Sequence, residues 1–500
     1  MTDKSEKMVG KSPLATIALI ARSESRVFIR ELAKEIKERD GSVIHLYCFN
    51  PQEVRHYQNL NKDNLFTSIV DANILLSRAF DDNLDQEDVY ARARRIEEKT
   101  GTPINHFAVP DRHLGRGYAL GGYYHPRSRY SETIDYLHMV HAFCATLEFW
   151  EQEFAEKAIT CCINGTREAH AAAIILNIPY RVLVLARHKN LHYWAWTAFY
   201  ENPLIEERWN ALSENDRIEM ERPYFAHSAN RDRWRKMFSL PVAVKNLART
   251  TLQYAYWRVR GYAKARGYFY WETMLYHYRL WSSYREVRKL AKTRLSDMEG
   301  KRFVYYPLHV EPETALQGLS PEYFYQHALI AAVSRDLPVG CFLAVKEAYG
   351  AIGRRPKNFY RHIDDLKNVV WLDTWEPGLD CVRKSDAVVT ICGTAGLEAV
   401  ASGKPAIAFG HHNLYNFLPS VQVVDNESKL KEYLQKALDN PDAESIRAEG
   451  ERLLKAITDV SFDMGSYDYI DLDGFEQEVV QNARHSLIES LGVQMARKAV

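Results

Sequence analysis

The chain has 500 residues, 46% hydrophobic and 26% charged, and its 65 Lys and Arg balance 65 Asp and Glu. This length exceeds one ordinary core and predicts two domains of roughly 200 residues each, while the composition excludes extensive disorder. Seven cysteines form no CxxC pair and no Cys/His ligand spacing, which fits free thiols in a reducing cytoplasm rather than a disulfide framework.

The opening MTDKSEKMVGKSP has no apolar core of signal-peptide length. No stretch approaches roughly 18 uninterrupted apolar residues. A cytoplasmic protein is expected, with peripheral attachment to the inner face of the cell membrane left open. In chain order, LATIALIA (Leu14 to Ala21) reads as a strand, VFIRELAKEIKERD as an amphipathic helix ended by Gly41, and SVIHLYCF as a second strand. Strand, loop, helix, strand is the opening of a doubly wound parallel sheet. NHFAVP (Asn105 to Pro110) reads as a strand, DRHLGRGYALGGYYH as a glycine-rich loop, and SETIDYLHMVHAFCATLEFWEQEFAEK as a long helix. AITCCING, TREAHAAAIILN and IPYRVLVLA follow as strand, helix and strand, closing a Rossmann-like first domain over residues 1–225.

Residues 226–300 form a basic, aromatic helical connector. From Arg231 to Gly300 there are 16 Lys and Arg against 5 Asp and Glu, a local charge of +11 in a neutral chain. The strand pattern then restarts in a second Rossmann-like domain, residues 301–425. RFVYYPLHV, CFLAVKE, NVVWLD, AVVTICG and PAIAFG are its strands, and SPEYFYQHALIAAVSRDLP is a helix with Ser320 as N-cap and Pro321 at its first position. The tail, 426–500, is helical and is expected to pack back on the first domain. Two such domains facing each other enclose a cleft at the carboxyl ends of their strands.

The strongest chemical signal is CGTAGLEA (Cys392 to Ala399), where a buried strand turns through Gly393, Thr394, Ala395 and Gly396 into a helix. Glycines let backbone approach a phosphate without a Cβ clash, and Thr394 adds a hydroxyl donor. Glu398, in the first helical turn, suits ribose or sugar hydroxyls. The bland alternative is a tight turn with Glu398 compensating the helix dipole. GKPAIAFG then brings a second strand end with His411 and His412 beside the first. AVKEAYG ends another strand in Lys346 and Glu347, and YYPLHVEPE ends one in His309, Glu311 and Glu313. Each is also compatible with a solvated strand end. In the first half, Asp111 and His113 are candidate general bases, with Arg112 and Arg116 as anion-neutralising neighbours. INGTREAHAA repeats the strand, Gly-Thr, helix junction and offers Glu168 as a further base. The structural alternative for the loop of Asp111, Arg112 and Arg116 is an Asp–Arg pairing.

FVYYPLHVEPE, SPEYFYQHALI, LPVGCFLAVKEAYGAIGRRP, NVVWLD and SDAVVTICGTAGLEAVASGKPAIAFG, in that order and spacing, resemble the bacterial capsule polysaccharide biosynthesis family, which includes the Kdo transferases of capsule assembly. The likeness covers about Arg302 to Leu418 well and the first half weakly. It implies a GT-B fold, two Rossmann-like domains facing across a cleft, and metal-independent transfer of a sugar from a nucleotide sugar to a surface-polysaccharide or lipid-linked acceptor. His309, Lys346, Glu347, Gly393, Thr394, Gly396, Glu398 and His411 would bind the donor, and Asp111, His113 or Glu168 would take the acceptor proton. No cofactor is implied beyond a CMP- or UDP-linked donor, and no metal. Asp364-Asp365, the nearest acidic pair, reads as solvated surface. The family commonly carries His-Pro after the Lys-Glu pair, where this chain has Ala348-Tyr349. A sugar-nucleotide 2-epimerase of the same fold and a catalytically inactive scaffold in capsule assembly are the alternatives. The basic stretch 231–300 suits an anionic membrane surface, or inter-domain helices whose aromatics are core. No nucleic-acid motif accompanies its charge.

Overall fold

The computed structural model describes residues 13–21, 26–111, 113–115, 134–220, 227–261, 270–310, 314–356, 358–439, 441–465 and 476–499. Two compact units emerge. One gathers the chain up to Ala108, then Asp135–Arg208 and Ala456 onward; the other gathers Val109–Ile134 and Trp209–Lys455. The helices of 227–290 therefore cluster with the second unit, and the tail 426–500 is divided between the two.

The first unit is built on β1 (Thr16–Ile20), β2 (Val43–Cys48), β3 (Ser68–Asp71), β4 (Cys161–Ile163), β5 (Tyr180–Leu185) and β6 (Leu191–Ala195). The second is built on β7 (Arg302–Pro307), β8 (Cys341–Lys346), β9 (Val369–Trp371), β10 (Ala387–Thr390), β11 (Ala406–Ala408) and β12 (Val421–Val423). A short β13 (Phe462–Asp463) returns to the first unit and pairs antiparallel with β6.

The first sheet runs β13-β6-β5-β4-β1-β2-β3, parallel from β5 to β3. β1 and β4 are buried on both faces, which explains why LATIALIA and ITCCI read as unbroken apolar runs rather than alternations. The helix Arg26–Asp40 turns Phe28, Ile29, Leu32, Ala33 and Ile36 inward at helical spacing. The helix Gln477–Ala499 packs beside it and buries Val480, Ala483, Leu487 and Leu491 in the same core. Polar contacts fix that docking. Trp194 Nε1–H donates to the Ala483 carbonyl at 2.9 Å, and Arg484 binds Asp40 through two bonds of 2.7 and 2.5 Å. Arg181 on β5 is fully buried. It donates to Ser490 Oγ and its carbonyl (2.8 and 2.7 Å) and to Gln494 Oε1 (2.8 Å), and lies 4.5 Å over the Trp196 ring. Burial pushes its pKa down to about 10.

NHFAVP is not a strand. Ile104–Ala108 is helical, with Ile104, Phe107 and Ala108 buried at a three-to-four-residue spacing and the Ile104 N–H capped by Glu97 Oε1 at 2.8 Å.

The second sheet is wholly parallel, in the order β12-β11-β10-β7-β8-β9. The chain steps outward from β7 to β9, returns to β10 on the other side of β7, and continues to β12. Strand order thus reverses between β7 and β10, as it does between β1 and β4 in the first sheet. Both units are Rossmann-like α/β units, each with its switch point at the edge of its first strand. Ser320 does not cap a helix. It is fully buried and makes no side-chain capping bond. Pro321–Tyr323 forms a 3-10 turn, and the helix runs Gln326–Asp336. Phe238, from the turn before the helix Leu240–Val259, and Leu280 and Val287, from the helix Tyr270–Leu290, belong to this unit's core, and Phe238 stacks on Tyr284 at 4.4 Å and 15°. No helix among the described residues is long and apolar enough to cross a membrane.

Candidate functional site

The switch point of the second sheet gathers most of the expected donor-side residues. His309 lies two residues beyond β7, and its backbone is clamped on both sides. Its N–H donates to Gln326 Oε1 at 2.8 Å, while its carbonyl accepts Gln326 Nε2 at 3.1 Å and Arg355 Nη2 at 2.7 Å. The buried ring reaches across to the β10 loop, where its Nε2 accepts the Cys392 N–H at 3.1 Å. That bond leaves the proton on Nδ1. Burial, reinforced by the Arg355 charge, pushes the pKa of His309 down to about 4, so the ring is neutral near pH 7. Nδ1 has no hydrogen-bond partner among the described residues. An unmet buried donor costs about 1–3 kcal/mol, which a water or ligand oxygen would remove.

Lys346 and Glu347 end the neighbouring strand and have separate fates. Glu347 is fully buried and its oxygens are occupied. Oε1 accepts the Ala348 N–H and Arg355 Nη2, both at 2.8 Å; Oε2 accepts Arg355 Nε and the Tyr360 hydroxyl, both at 2.9 Å. A carboxylate with that many donors orders the Ala348–Arg355 loop and has little capacity left for a sugar. Lys346 is half-buried, and its ammonium stands 5.9 Å from the Tyr349 ring centre without an ion pair to a described residue. Burial lowers its pKa, opposed by Cys381, Glu347 and Glu398 nearby.

Tyr349 occupies the place after Ala348 and stacks on Trp375 at 5.4 Å and 16°. The helix His227–Met237 rests on this pair. A Cβ at Gly350 would lie 3.9 Å from Trp234, and the Arg235 guanidinium lies 4.8 Å over the Trp375 ring. Arg231, on the same helical face at a spacing of three and four, has a buried Nε without an acceptor among the described residues. Its charge acts on the Tyr349 hydroxyl. No sequence motif marked Arg231; it lay within the general basic stretch.

In the β10 loop the glycines make room for protein atoms. A Cβ at Gly393 would lie 2.9 Å from Thr390 Oγ1 and 3.2 Å from His309 Nε2, and the Gly393 N–H donates to that hydroxyl at 3.2 Å. Gly396 faces the Tyr415 ring, where a Cβ would meet Cζ at 2.3 Å, and the Tyr415 hydroxyl donates to the Gly393 carbonyl at 2.7 Å. Thr394 differs. It is half-buried, its hydroxyl makes no capping bond, and its amide and hydroxyl bond no described residue. Glu398 sits in the first turn of the short helix Ala395–Ala401, close enough to act on Lys346. His411 is exposed after β11, and His412 is half-buried.

The remaining candidates belong to other elements. Asp111 Oδ1 accepts the N–H groups of His113 and Leu114, both at 2.7 Å, so it ties its own turn. Arg112, Arg116, Glu311 and Glu313 lie outside the described residues. Glu168 is half-buried in the first turn of the helix Arg167–Ile175, at the switch point of the first sheet. Its neighbour Arg167 donates to the His106 carbonyl at 3.0 Å and lies over Phe107 and Phe199, a structural use. Gln326, Arg355, Tyr360, Thr390 and Tyr415 hold the site together and were not singled out in the sequence. Only Arg355, in the basic GRRP run, carried a local signal. Among the described residues no three His, Cys, Asp or Glu side chains gather as a metal site.

No family model matches the chain, and no curated protein matches it in sequence. Solved structures align with it weakly. The KpsC β-Kdo 2,4-transferase of Thermosulfurimonas dismutans is 11% identical with a TM-score of 0.31, covering 59% of this chain and 79% of its own. A glycosyltransferase from Rickettsia africae is 9% identical with a TM-score of 0.29, covering 95% and 98%. The UDP-GlcNAc 2-epimerase of Neisseria meningitidis bound to UDP-GlcNAc is 11% identical with a TM-score of 0.28, covering 89% and 98%. Scores this low carry no argument, and the α/β assignment rests on the two sheets themselves.

Proposed function

We propose that this chain is a metal-independent glycosyltransferase of the GT-B kind, moving a sugar from a nucleotide sugar to a surface-polysaccharide or lipid-linked acceptor. The observation that carries this is the half-buried Lys346 ammonium, without an ion pair among the described residues, at the strand ends beside the switch point that also holds the open Thr394 amide and hydroxyl. A fixed cation and a pair of hydrogen-bond donors suit a phosphate, and ligands of open α/β sheets bind at this place. In glycosyl transfer the nucleotide phosphate departs with growing negative charge. Donors held in place before the reaction stabilise that charge without reorganising. His309 and Glu347 act as positioning residues, the first holding the Cys392–Gly393 loop and the second the Ala348–Arg355 loop. Glu398 is assigned to ribose or sugar hydroxyls, and one of Asp111, His113 and Glu168 to the acceptor proton. The likeness of the strand-end motifs to the capsule family supports the acceptor class. Ala348-Tyr349, in place of His-Pro, favours a second reading, a scaffold that binds nucleotide sugars without turnover.

The test is a thermal-shift and calorimetric screen against CMP-, UDP-, GDP- and CDP-linked sugars. One class is expected to stabilise the wild type, with Lys346→Ala and Thr394→Val each weakening it about tenfold or more. If no nucleotide sugar stabilises the wild type, the proposal is wrong. Donor hydrolysis by the wild type that disappears in Thr394→Val would exclude the inactive scaffold.

A further inference from the structure

The helix Leu240–Val259 carries Lys245, Arg249 and Arg258 and no acidic residue. Only Ala243 on it is buried. Four of its apolar side chains stand in solvent: Leu240 at 45% exposure, Val244 at 56%, Leu252 at 71% and Val259 at 86%. At about 100° per residue, all four fall within an arc of about 120°. On the same wheel Lys245 lies about 20° and Arg249 about 60° beyond one edge of that stripe, flanking the half-exposed Tyr256, and Arg258 lies at the other edge. All three are exposed and make no ion pair with a described residue. Behind it, the helix Tyr270–Leu290 packs alongside and sends Leu280 and Val287 into the core of the second unit. The apolar residues of the basic stretch thus divide. Phe238 and Tyr284 serve the core, while the outer helix keeps an apolar stripe in water.

Scattered exposed apolar residues are ordinary. A continuous stripe bordered by unpaired cations on an acid-free helix calls for a partner that is apolar and anionic at once. The interface of an anionic bilayer has both properties, whereas a nucleic acid offers charge without an apolar layer. We propose that this face of the helix Leu240–Val259 docks, lying flat, on an anionic lipid surface, with Leu240, Val244, Leu252 and Val259 entering the headgroup boundary and Lys245 and Arg249 meeting lipid phosphates. This does not rest on the glycosyl-transfer proposal.

Flotation of the full chain with phosphatidylcholine vesicles, with and without phosphatidylglycerol, tests it. The wild type floats with the anionic vesicles at low salt and is released at high salt. Leu252→Asp/Val259→Asp, both at exposed positions, lowers vesicle partitioning by about tenfold or more while keeping the wild-type Tm. Lys245→Glu/Arg249→Glu lowers it about as much. Absence of flotation at low salt overturns the proposal, as does flotation unchanged in both variants. Binding of single-stranded RNA by a wild type that ignores vesicles also overturns it and makes nucleic acid the partner.

Discussion

At the scale of single residues, the β10 loop separates two uses of glycine that look alike in a sequence. GTAG suggests a phosphate cradle, yet Gly393 and Gly396 give way to His309, Thr390 and Tyr415 from the same unit. The contacts that decide this join residues far apart in the chain, so no local pattern announces them. Gly396→Ala is expected to destabilise the protein by about 1–3 kcal/mol through overpacking against the Tyr415 ring. Tyr415→Leu in the same chain should recover much of that loss, which denaturant titration of the double-mutant cycle measures. Asp111→Asn separates two roles of that side chain. The amide oxygen can still accept the His113 and Leu114 N–H groups, so the turn and nucleotide binding should persist while transfer slows if Asp111 is the base. Full activity in Asp111→Asn would move the base role to His113 or Glu168.

At the scale of elements, strands buried on both faces were legible as apolar runs, and β1, β2, β4, β5, β7, β8 and β10 stand where the pattern places them. β3, β6, β12 and β13 were missed. β3, β12 and β13 have four, three and two residues and are only partly buried, too short for an alternation to register, whereas β6 is buried along all five residues and so shows no alternation. NHFAVP failed in the opposite way, because a short apolar run looks the same whether strand or helix claims it. The C-terminal helix shows how an element can depend on one polar residue. Arg181→Ala removes the donor for the Ser490 carbonyl and leaves a hole beneath Trp196. A loss of about 3 kcal/mol or more in urea unfolding is expected, with faster proteolysis within 477–499. Proteolysis unchanged from the wild type would mean that the apolar contacts alone hold the helix.

At the scale of the whole molecule, three histidines titrate together. Burial holds His170, His192 and His309 neutral, each with its pKa lowered from 6.5 to about 4. Between those values the unfolded chain takes up protons that the folded chain refuses, so stability falls as pH drops from about 6.5 to about 4 and is insensitive to these groups above that range. Calorimetry across this range should show Tm falling, and His192→Gln should make the fall shallower. The two-unit α/β organisation was readable from the restart of the strand pattern near Arg302. The division of the tail was not, because β13 is two residues long and its partner β6 is remote in the chain.

That return of the tail has a consequence for synthesis. The first sheet begins at Thr16, but its outermost strand and covering helix come from residues 462 to 499. A ribosome makes the whole second unit before the last pieces of the first one exist. The domain begun earliest is therefore finished last, and until then it must wait with Trp194 and Arg181 uncovered.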